Sequence, residues 1–186
     1  MKTKAIGITF TLMSSLGMLA ACQNTPVEPV AQADKDYLKQ DAEGTLAVWE
    51  RDYPAAISRM HEAYGYAIFP SVKKGAVGVG GAYGRGMVYE QGNFIGYADL
   101  SQGTIGAQLG AQEYSELILF RDKAALESFK RGNLEFAAQA SAIAANKAAS
   151  TDVAYENGVL VFTSGRGGLM LEASIGGQKF RFQPAM

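Results

Sequence analysis

The sequence predicts an α+β fold in a single domain: N-terminal helices packed on a strongly coiled, glycine-rich antiparallel β-sheet or partly closed barrel. Three observations predict it. A helical apolar pattern comes first, alternating strand-like segments follow it, and those segments hold many of the 22 glycines. The chain has 186 residues, 48% of them hydrophobic, which suits one globular core and leaves little room for a second.

Residues 1–21 are typical of a secretory signal peptide. Lys2 and Lys4 precede an apolar run, and small residues follow it. The motif Leu19-Ala20-Ala21-Cys22 resembles the lipobox of bacterial lipoproteins, in which the cysteine becomes the first residue of the mature chain and carries acyl groups such as palmitate. Cys22 is the only cysteine and has no internal disulfide partner, so acylation accounts for it better than a buried structural role.

The residues after Cys22 predict where the protein is held. Each buried acyl methylene contributes about 0.8 kcal/mol, so several chains give a lasting membrane anchor. Gln23 stands where an aspartate, in the lipoproteins that the motif resembles, indicates inner-membrane retention. We therefore expect an outer-membrane lipoprotein that faces the periplasm. Residues 22–33 contain two prolines and predict a flexible tether, and residues 34–186 form the domain.

The charge balance excludes one class of partner. Without the two lysines of the signal peptide, the chain has 15 basic and 18 acidic residues, a net charge of −3. A domain of this kind has no polybasic footprint, so we expect no nucleic-acid partner.

Three helices are predicted. Apolar residues recur every three or four positions between Asp34 and Asp52, Pro54 opens a second short helix, and Asp122 is a plausible N-cap for a third helix that ends by Gly132. The apolar face of the first helix has two open uses: to pack on the sheet of the domain, or to lie on a lipid surface.

The glycines follow a strand pattern. Tyr66–Phe69 is a short predicted strand that stops at Pro70, and residues 71–74 form a turn. From residue 75 to 89, small residues occupy alternate positions, so one face of the predicted strand is nearly bare. The segments 103–112 and 164–177 repeat this pattern. Three explanations are open: close approach of another element, sharp coiling of the sheet, or a surface that accommodates a ligand.

A phosphate-binding loop does not explain these glycines. Such a loop lies between a strand and a helix, but the segment continues into further strands and lacks both the GxGxxG spacing and a Gly-Lys-Ser/Thr ending. Beyond the third helix, residues 134–144 are predicted as a strand, Asn157-Gly158 as a hairpin turn, and Gly176-Gly177 as the link between the last two strands.

No catalytic constellation is visible. His61 is the only histidine and has no clustered metal ligands, and Ser164 has no recognisable base. The carboxylate pairs Glu113 with Glu116 and Asp34 with Asp36 are expected in helical or loop contexts at the surface. We therefore expect no enzyme activity, no cofactor and no metal.

Several motifs together resemble the SYLF lipid-binding domain family: Tyr66–Pro70 (YAIFP), Gly84-Arg85-Gly86, Gly110-Ala111-Gln112, the stretch FTSGRGGLMLEASIGG and the final GGQKFRF. The family includes the domain beside the Src-homology-3 module of yeast and animal actin-patch proteins, and many bacterial lipoproteins. The resemblance spans residues 35–182. It implies a non-enzymatic module that associates with membranes, with phosphatidylinositol-type lipids and actin bound by eukaryotic members.

The resemblance directs attention to the cations. The first predicted helix has six acidic and three basic residues, which suits an anionic surface poorly. The candidate headgroup ligands are therefore Lys73 and Lys74 in the predicted turn, with Arg85 and Arg166 beside the bare strand faces. The expected function is a lipid-binding module on a lipoprotein. The alternative is a structural or protein-interaction module of the envelope, with an unidentified envelope protein as partner and no lipid beyond its own anchor.

Overall fold

The structure is a computed structural model, in which residues 32–77, 79–105, 110–132, 155–165, 168–170 and 178–185 are described. All of the described residues belong to one compact unit of the chain, residues 31–186. The helices are α1 (Gln32–Asp52), α2 (Pro54–Glu62) and α3 (Lys123–Lys130). The strands are β1 (Gly65–Val77), β2 (Val79–Glu90), β3 (Asn93–Ile105), β4 (Gly110–Phe120), β5 (Val159–Gly165), β6 (Gly168–Met170) and β7 (Gln178–Pro184).

The strands form one antiparallel sheet in the order β6-β5-β4-β1-β2-β3-β7. The predicted α+β domain is confirmed. The sheet curls strongly. Gln178 on β7 donates a hydrogen bond to Glu116 on β4 at 3.2 Å, although three strands lie between β7 and β4 in the sheet. Among the described residues no pairing joins β6 to β7, so the curled sheet stays open.

The course of β1 differs from the prediction. The strand does not stop at Pro70, and residues 71–74 are not a turn: β1 continues to Val77. Its register shifts between Ile68 and Ser71 against β2, and between Phe69 and Val72 against β4. Proline lacks an N–H, but a bulge is one of the few places in a central strand that accepts it, because the ladder is already interrupted there.

The glycine-rich stretch is a hairpin and not one strand. The chain reverses around residue 78, and Val77 pairs with Val79. The bare face is confirmed within β2, where it lies against the bulge of β1. A Cβ added to Gly86 would lie 2.6 Å from the Ile68 carbonyl oxygen and 2.7 Å from Cδ1 of Phe69. Here the glycines give room to a neighbouring strand and its aromatic ring, as a coiled sheet requires.

The second glycine-rich segment near the C-terminus is also a hairpin. We predicted one strand over residues 164–177, but β5 ends at Gly165, which pairs with Gly168 of β6. Asn157 and Gly158 have positive φ angles of 51° and 81°, and the backbones of Glu156 and Val159 exchange hydrogen bonds at 2.9 Å, so the predicted tight turn is confirmed. The predicted strand 134–144 and the predicted turn at residues 176–177 lie outside the described residues.

The inner face of the sheet holds an aromatic core. Phe69, Phe180, Phe129 and Phe120 are buried there, and in this order each ring centroid lies 4.9–5.8 Å from the next. Helix α3 covers one end of this core. Its predicted N-cap is confirmed, since the Asp122 carboxylate accepts the backbone N–H of Ala125 at 3.0 Å.

The outer face is covered by α1 and α2 over part of its area. Leu38, Ala42 and Trp49 of α1 are buried against strand residues such as Ile68 and Leu117. The apolar face of the first helix therefore packs on the sheet, which was one of its two predicted uses. The rest of the outer face is not covered by α1 or α2.

The close contacts of Gly86 generate a stability prediction. Gly86→Ala forces a methyl group against the backbone and ring of β1, and we expect it to lower the free energy of unfolding by about 1–3 kcal/mol. Gly75→Ala is the matched control, because an added Cβ there meets nothing within 4 Å and should raise stability by about 0.5–1 kcal/mol. Urea unfolding of both variants measures the difference, and equal values would contradict this explanation of the glycines.

The tyrosines of the outer face predict an alkaline limit to stability. Tyr66 stacks on Tyr89 with ring centroids 4.7 Å apart, and burial raises the pKa of Tyr66 to about 12. The unfolded value is about 10, so stability from this group is fully present below pH 10 and is lost as pH rises towards 12. We expect Tyr66→Phe to flatten the fall in unfolding free energy between pH 10 and 12. Tyr37→Phe, which alters a side chain that is 71% exposed, serves as control.

Candidate functional site

The uncovered part of the outer face carries two rows of polar residues across neighbouring strands. In the first row, successive cross-strand partners run Glu113, Lys73, Tyr83, Ser101 and Lys179, from β4 to β7. In the second row, they run Ser71, Arg85, Asp99 and Arg181. The pairing register thus places cations from three strands on one surface.

The register separates two of the predicted site residues. Lys73 pairs with Tyr83 and is exposed on the outer face. Lys74 pairs with the buried Ala82, so it points to the inner side of the sheet, where it is only partly exposed. In a strand, successive side chains lie on opposite faces, and the predicted turn that would have kept the two lysines together does not exist. Of the other two predicted ligands, Arg85 lies on the outer face, and Arg166 lies outside the described residues.

Arg85 is held by its neighbours. Its Nε donates to Asp99 Oδ1 at 3.3 Å and to the Tyr83 hydroxyl at 3.2 Å. Partial burial lowers the pKa of Arg85, but the hydrogen bonds and charges of Tyr83 and Asp99 outweigh that effect and raise the pKa above its usual value. The guanidinium is therefore charged, fixed in place and partly neutralised by Asp99. Gln183 Nε2 also donates to Asp99, at 3.1 Å, and steadies that carboxylate.

We call the exposed surface formed by Lys73, Tyr83, Arg85, Lys179 and Arg181 the cationic patch. Tyr83 lies at the centre of the patch, and 51% of its surface is exposed. With strands about 4.8 Å apart and about 6.6 Å between alternate residues, the patch measures about 14 Å by 7 Å. An amphipathic tyrosine among cations is the composition found where proteins meet a membrane surface.

Sequence reasoning missed Lys179 and Arg181. A signal was present, since both alternate with the apolar Phe180 and Phe182 in the last strand. That pattern indicates one apolar and one cationic face. Which strand would lie next to β7, and hence which cations would join it, depends on the strand order, and alternation carries no information about that order.

Next to the patch, α1 and the ends of β4 and β5 enclose an open cleft of about 420 Å³. Its lining includes two residues with carboxylates and four with hydroxyls, and the buried Trp49 forms part of its wall. Gly44 of α1 also borders the cleft, and a Cβ added there would meet nothing within 4 Å. The lining residues with carboxylates or hydroxyls are Asp41, Thr45, Glu113, Tyr114, Ser115 and Ser164.

Hydrogen bonds fix the floor of this cleft. The Trp49 indole Nε1 donates to Ser115 Oγ at 3.0 Å, and Ser115 Oγ donates to the Ser164 carbonyl oxygen at 3.4 Å. Ser164 Oγ donates to the Tyr53 hydroxyl at 3.2 Å. At the rim, Ser71 Oγ donates to Glu113 at 2.5 Å. The floor is thus a connected set of hydroxyl groups on rigid elements.

The positions of the two glutamates of β4 differ from the prediction. Neither Glu113 nor Glu116 lies in a helix or loop. Glu113 is exposed on the outer face, as a surface charge should be, but Glu116 is fully buried on the inner face, where Gln178 donates to it. A strand puts residues three positions apart on opposite faces, and that is why the expectation of a surface position is wrong for Glu116.

Two negative findings concern the described residues. They contain no group of three or more histidine, cysteine, aspartate or glutamate side chains able to hold a metal ion. Nor does any described helix have the length and apolar content needed to cross a bilayer. Cys22 and the predicted signal peptide lie outside this part of the chain.

Comparison with known proteins gives two similarities. Residues 101–185 match the family described as "Ysc84: Las17-binding protein actin regulator". Beta cell expansion factor A of Aeromonas veronii is 29% identical over 134 residues, which cover 69% of this chain and 49% of that protein. The chain therefore spans about half the length of this relative.

These similarities confirm the resemblance that the motifs indicated: residues 101–185 match the SYLF family. The SYLF domain is a non-catalytic binding module of the lipid-binding or actin-regulator type. The family match begins near the end of β3 and covers β4 to β7 and helix α3 of the described structure, so it includes Lys179 and Arg181 of the cationic patch.

Proposed function

We propose that the protein is a membrane-anchored lipoprotein of the cell envelope whose SYLF domain binds phospholipid headgroups through the cationic patch. The observation that carries the proposal is the convergence of Lys73, Arg85, Lys179 and Arg181 around the exposed Tyr83. Lipid phosphates accept hydrogen bonds and charge from lysine and arginine, with arginine able to bind in a bidentate manner. Arg166, outside the described residues, remains a candidate ligand.

The position of the patch favours a surface ligand. The patch lies on the convex outer face of the curled sheet and is left uncovered by α1 and α2. Arg85 uses Nε for its two bonds, so its contact with Asp99 does not consume the terminal Nη donors. A site of this kind suits an anionic headgroup presented by a membrane, with phosphatidylinositol-type lipids among the candidates.

The N-terminal motif supports the anchor. Cys22 in a lipobox, followed by Gln23, supports acylation and delivery to an outer membrane with the domain facing the periplasm. An anchored domain meets lipid at high local concentration, so even weak headgroup contacts would orient it on the surface.

The family description favours one second candidate. Because the matched family is described by binding to another protein, the cationic patch could instead dock an acidic surface of an envelope protein. In that case the acyl chains on Cys22 would be the protein's sole link to lipid.

The headgroup proposal predicts a loss of vesicle binding. For residues 22–186 with Cys22→Ser, we expect co-sedimentation with vesicles of mixed neutral and anionic phospholipid. The triple variant Lys73→Ala/Lys179→Ala/Arg181→Ala should bind on the order of 100-fold more weakly, since each cation near an anionic surface contributes about 1 kcal/mol. Binding of the unaltered chain should also fall steeply with added salt.

A second triple variant controls for net charge. Lys39→Ala/Lys123→Ala/Arg131→Ala likewise removes two lysines and one arginine, here from exposed positions on α1, on α3 and at the C-cap of α3. It should retain most of the vesicle binding. Equal losses in both variants would mean that overall charge and not the patch drives binding, and no vesicle binding by the unaltered chain would favour the protein-partner alternative.

The anchor generates its own prediction. Expressed from its full sequence in a Gram-negative host, the protein should fractionate with membranes and incorporate radiolabelled palmitate, and Cys22→Ala should abolish the label and release the domain. Mass spectrometry of the mature N-terminus should show an acylated cysteine. A released wild-type protein with an unmodified Cys22 would contradict lipidation.

A further inference from the structure

The cleft between α1 and the β4–β5 strands differs in charge from the surface beside it. Two carboxylates, Asp41 and Glu113, line it, and no lysine, arginine or histidine is among its described lining residues. Its other polar groups are hydroxyls, which accept hydrogen bonds as readily as they donate them. A cleft of this composition favours a positively charged, hydrogen-bond-donating group and disfavours an anion.

The shape of the cleft indicates an organic cation. Among the described residues no cluster has enough carboxylate, histidine or cysteine ligands for a metal ion. The space of about 420 Å³ exceeds that of a bare ion. Trp49 is only 1% exposed and offers no open aromatic face on which a sugar could stack. Its ring limits the space in the cleft, and its indole N–H holds the Ser115 hydroxyl in place.

The cleft and the cationic patch meet at one residue pair. Glu113, at the rim of the cleft, is the direct cross-strand partner of Lys73, the first cation of the patch. Side chains of such partners start from Cβ atoms about 4.5–5.5 Å apart. The Glu113 carboxylate accepts from Ser71 Oγ, and this bond holds it in place. A negative and a positive group thus stand side by side at the boundary.

We infer that this boundary binds the phosphoethanolamine group, with its phosphate at Lys73 and its primary ammonium in the cleft between Asp41 and Glu113. The inference rests on the proposed function and names a headgroup class for it. An –NH₃⁺ group can donate three hydrogen bonds. The two carboxylates and the hydroxyls of Thr45 and Ser115 can accept them. A trimethylammonium group has the same charge and no N–H donor, so phosphocholine should bind poorly.

Two features of α1 make the cleft testable without unfolding the protein. Gly44 borders the cleft in open space, so Gly44→Leu should fill it, and leucine has a better helix propensity than glycine. Trp49 is the only tryptophan, and its indole N–H bonds to the cleft floor. Its indole N–H resonance and its fluorescence therefore report on this one place.

The experiment uses residues 22–186 with Cys22→Ser and two uncharged vesicle types: phosphatidylcholine alone, and phosphatidylcholine with an equal part of phosphatidylethanolamine. We expect at least roughly tenfold tighter binding to the second type, the factor of one charge-assisted hydrogen bond. Gly44→Leu and Asp41→Asn should abolish this preference. Glu50→Gln, which removes an exposed carboxylate of α1 that does not line the cleft, should keep it.

Soluble probes show whether the ligand is the lipid headgroup or the free phosphoethanolamine molecule. O-phosphoethanolamine should shift the Trp49 indole resonance, and phosphocholine should not. If the resonance responds to O-phosphoethanolamine and the vesicles also retain the protein, the ligand is the lipid headgroup. A response to O-phosphoethanolamine without vesicle retention identifies the free molecule as the ligand and overturns the lipid assignment.

Two results would overturn the inference itself: equal binding to both vesicle types, or equal shifts by phosphoethanolamine and phosphocholine. Binding to anionic vesicles, measured in parallel, shows which proposal fails. If it persists and depends on Lys179 and Arg181 while no ethanolamine preference exists, the cleft assignment fails and the proposed headgroup function stands. If it too is absent, the headgroup function fails.

Discussion

The bend of β1 at Phe69 and Pro70 is the constraint on which the rest of the structure depends. The register shifts there against both neighbouring strands, and this turns the sheet in on itself. The turn is feasible because β2 has glycine at positions 84 and 86, where any Cβ would meet the bulge at less than 3 Å. The curl then brings the ring of Phe180 on β7 to a centroid distance of 5.8 Å from the ring of Phe69, which completes the aromatic core.

The curl also gives the sheet two faces with different roles. The inner face is filled by its aromatic side chains and by α3. The outer face is divided between the area under α1 and α2 and the area beyond them, where the strands extend past the helices. Because the longer strands continue past the helical layer, their alternate side chains form a convex polar surface of fixed spacing. The rigidity needed for a binding surface thus comes from the same ladders that build the core.

Charge is distributed locally in a way that the overall composition conceals. The expected mature chain is acidic, and the first helix is acidic as well. Even so, four cations from three strands gather on the outer face, and Asp99 both orders and partly neutralises one of them. A carboxylate-lined cleft lies directly beside these cations. Opposite charges in adjacent places favour recognition of a group that carries both, and general attraction to a charged surface does not provide this selectivity.

The sequence by itself determined the class of fold, the three helices with the cap at Asp122, the hairpin turn at Asn157-Gly158 and the resemblance to the SYLF family. These depend on periodicity, capping chemistry and motifs, which act over a few residues or can be compared directly. It also pointed to Lys73 and Arg85. Only the tertiary structure decided that β1 continues through Pro70, that Lys74 and Glu116 face inward, and that Lys179 and Arg181 join the patch. Those outcomes depend on a bulge, on strand order and on pairing register, which are set by contacts between residues far apart in the chain.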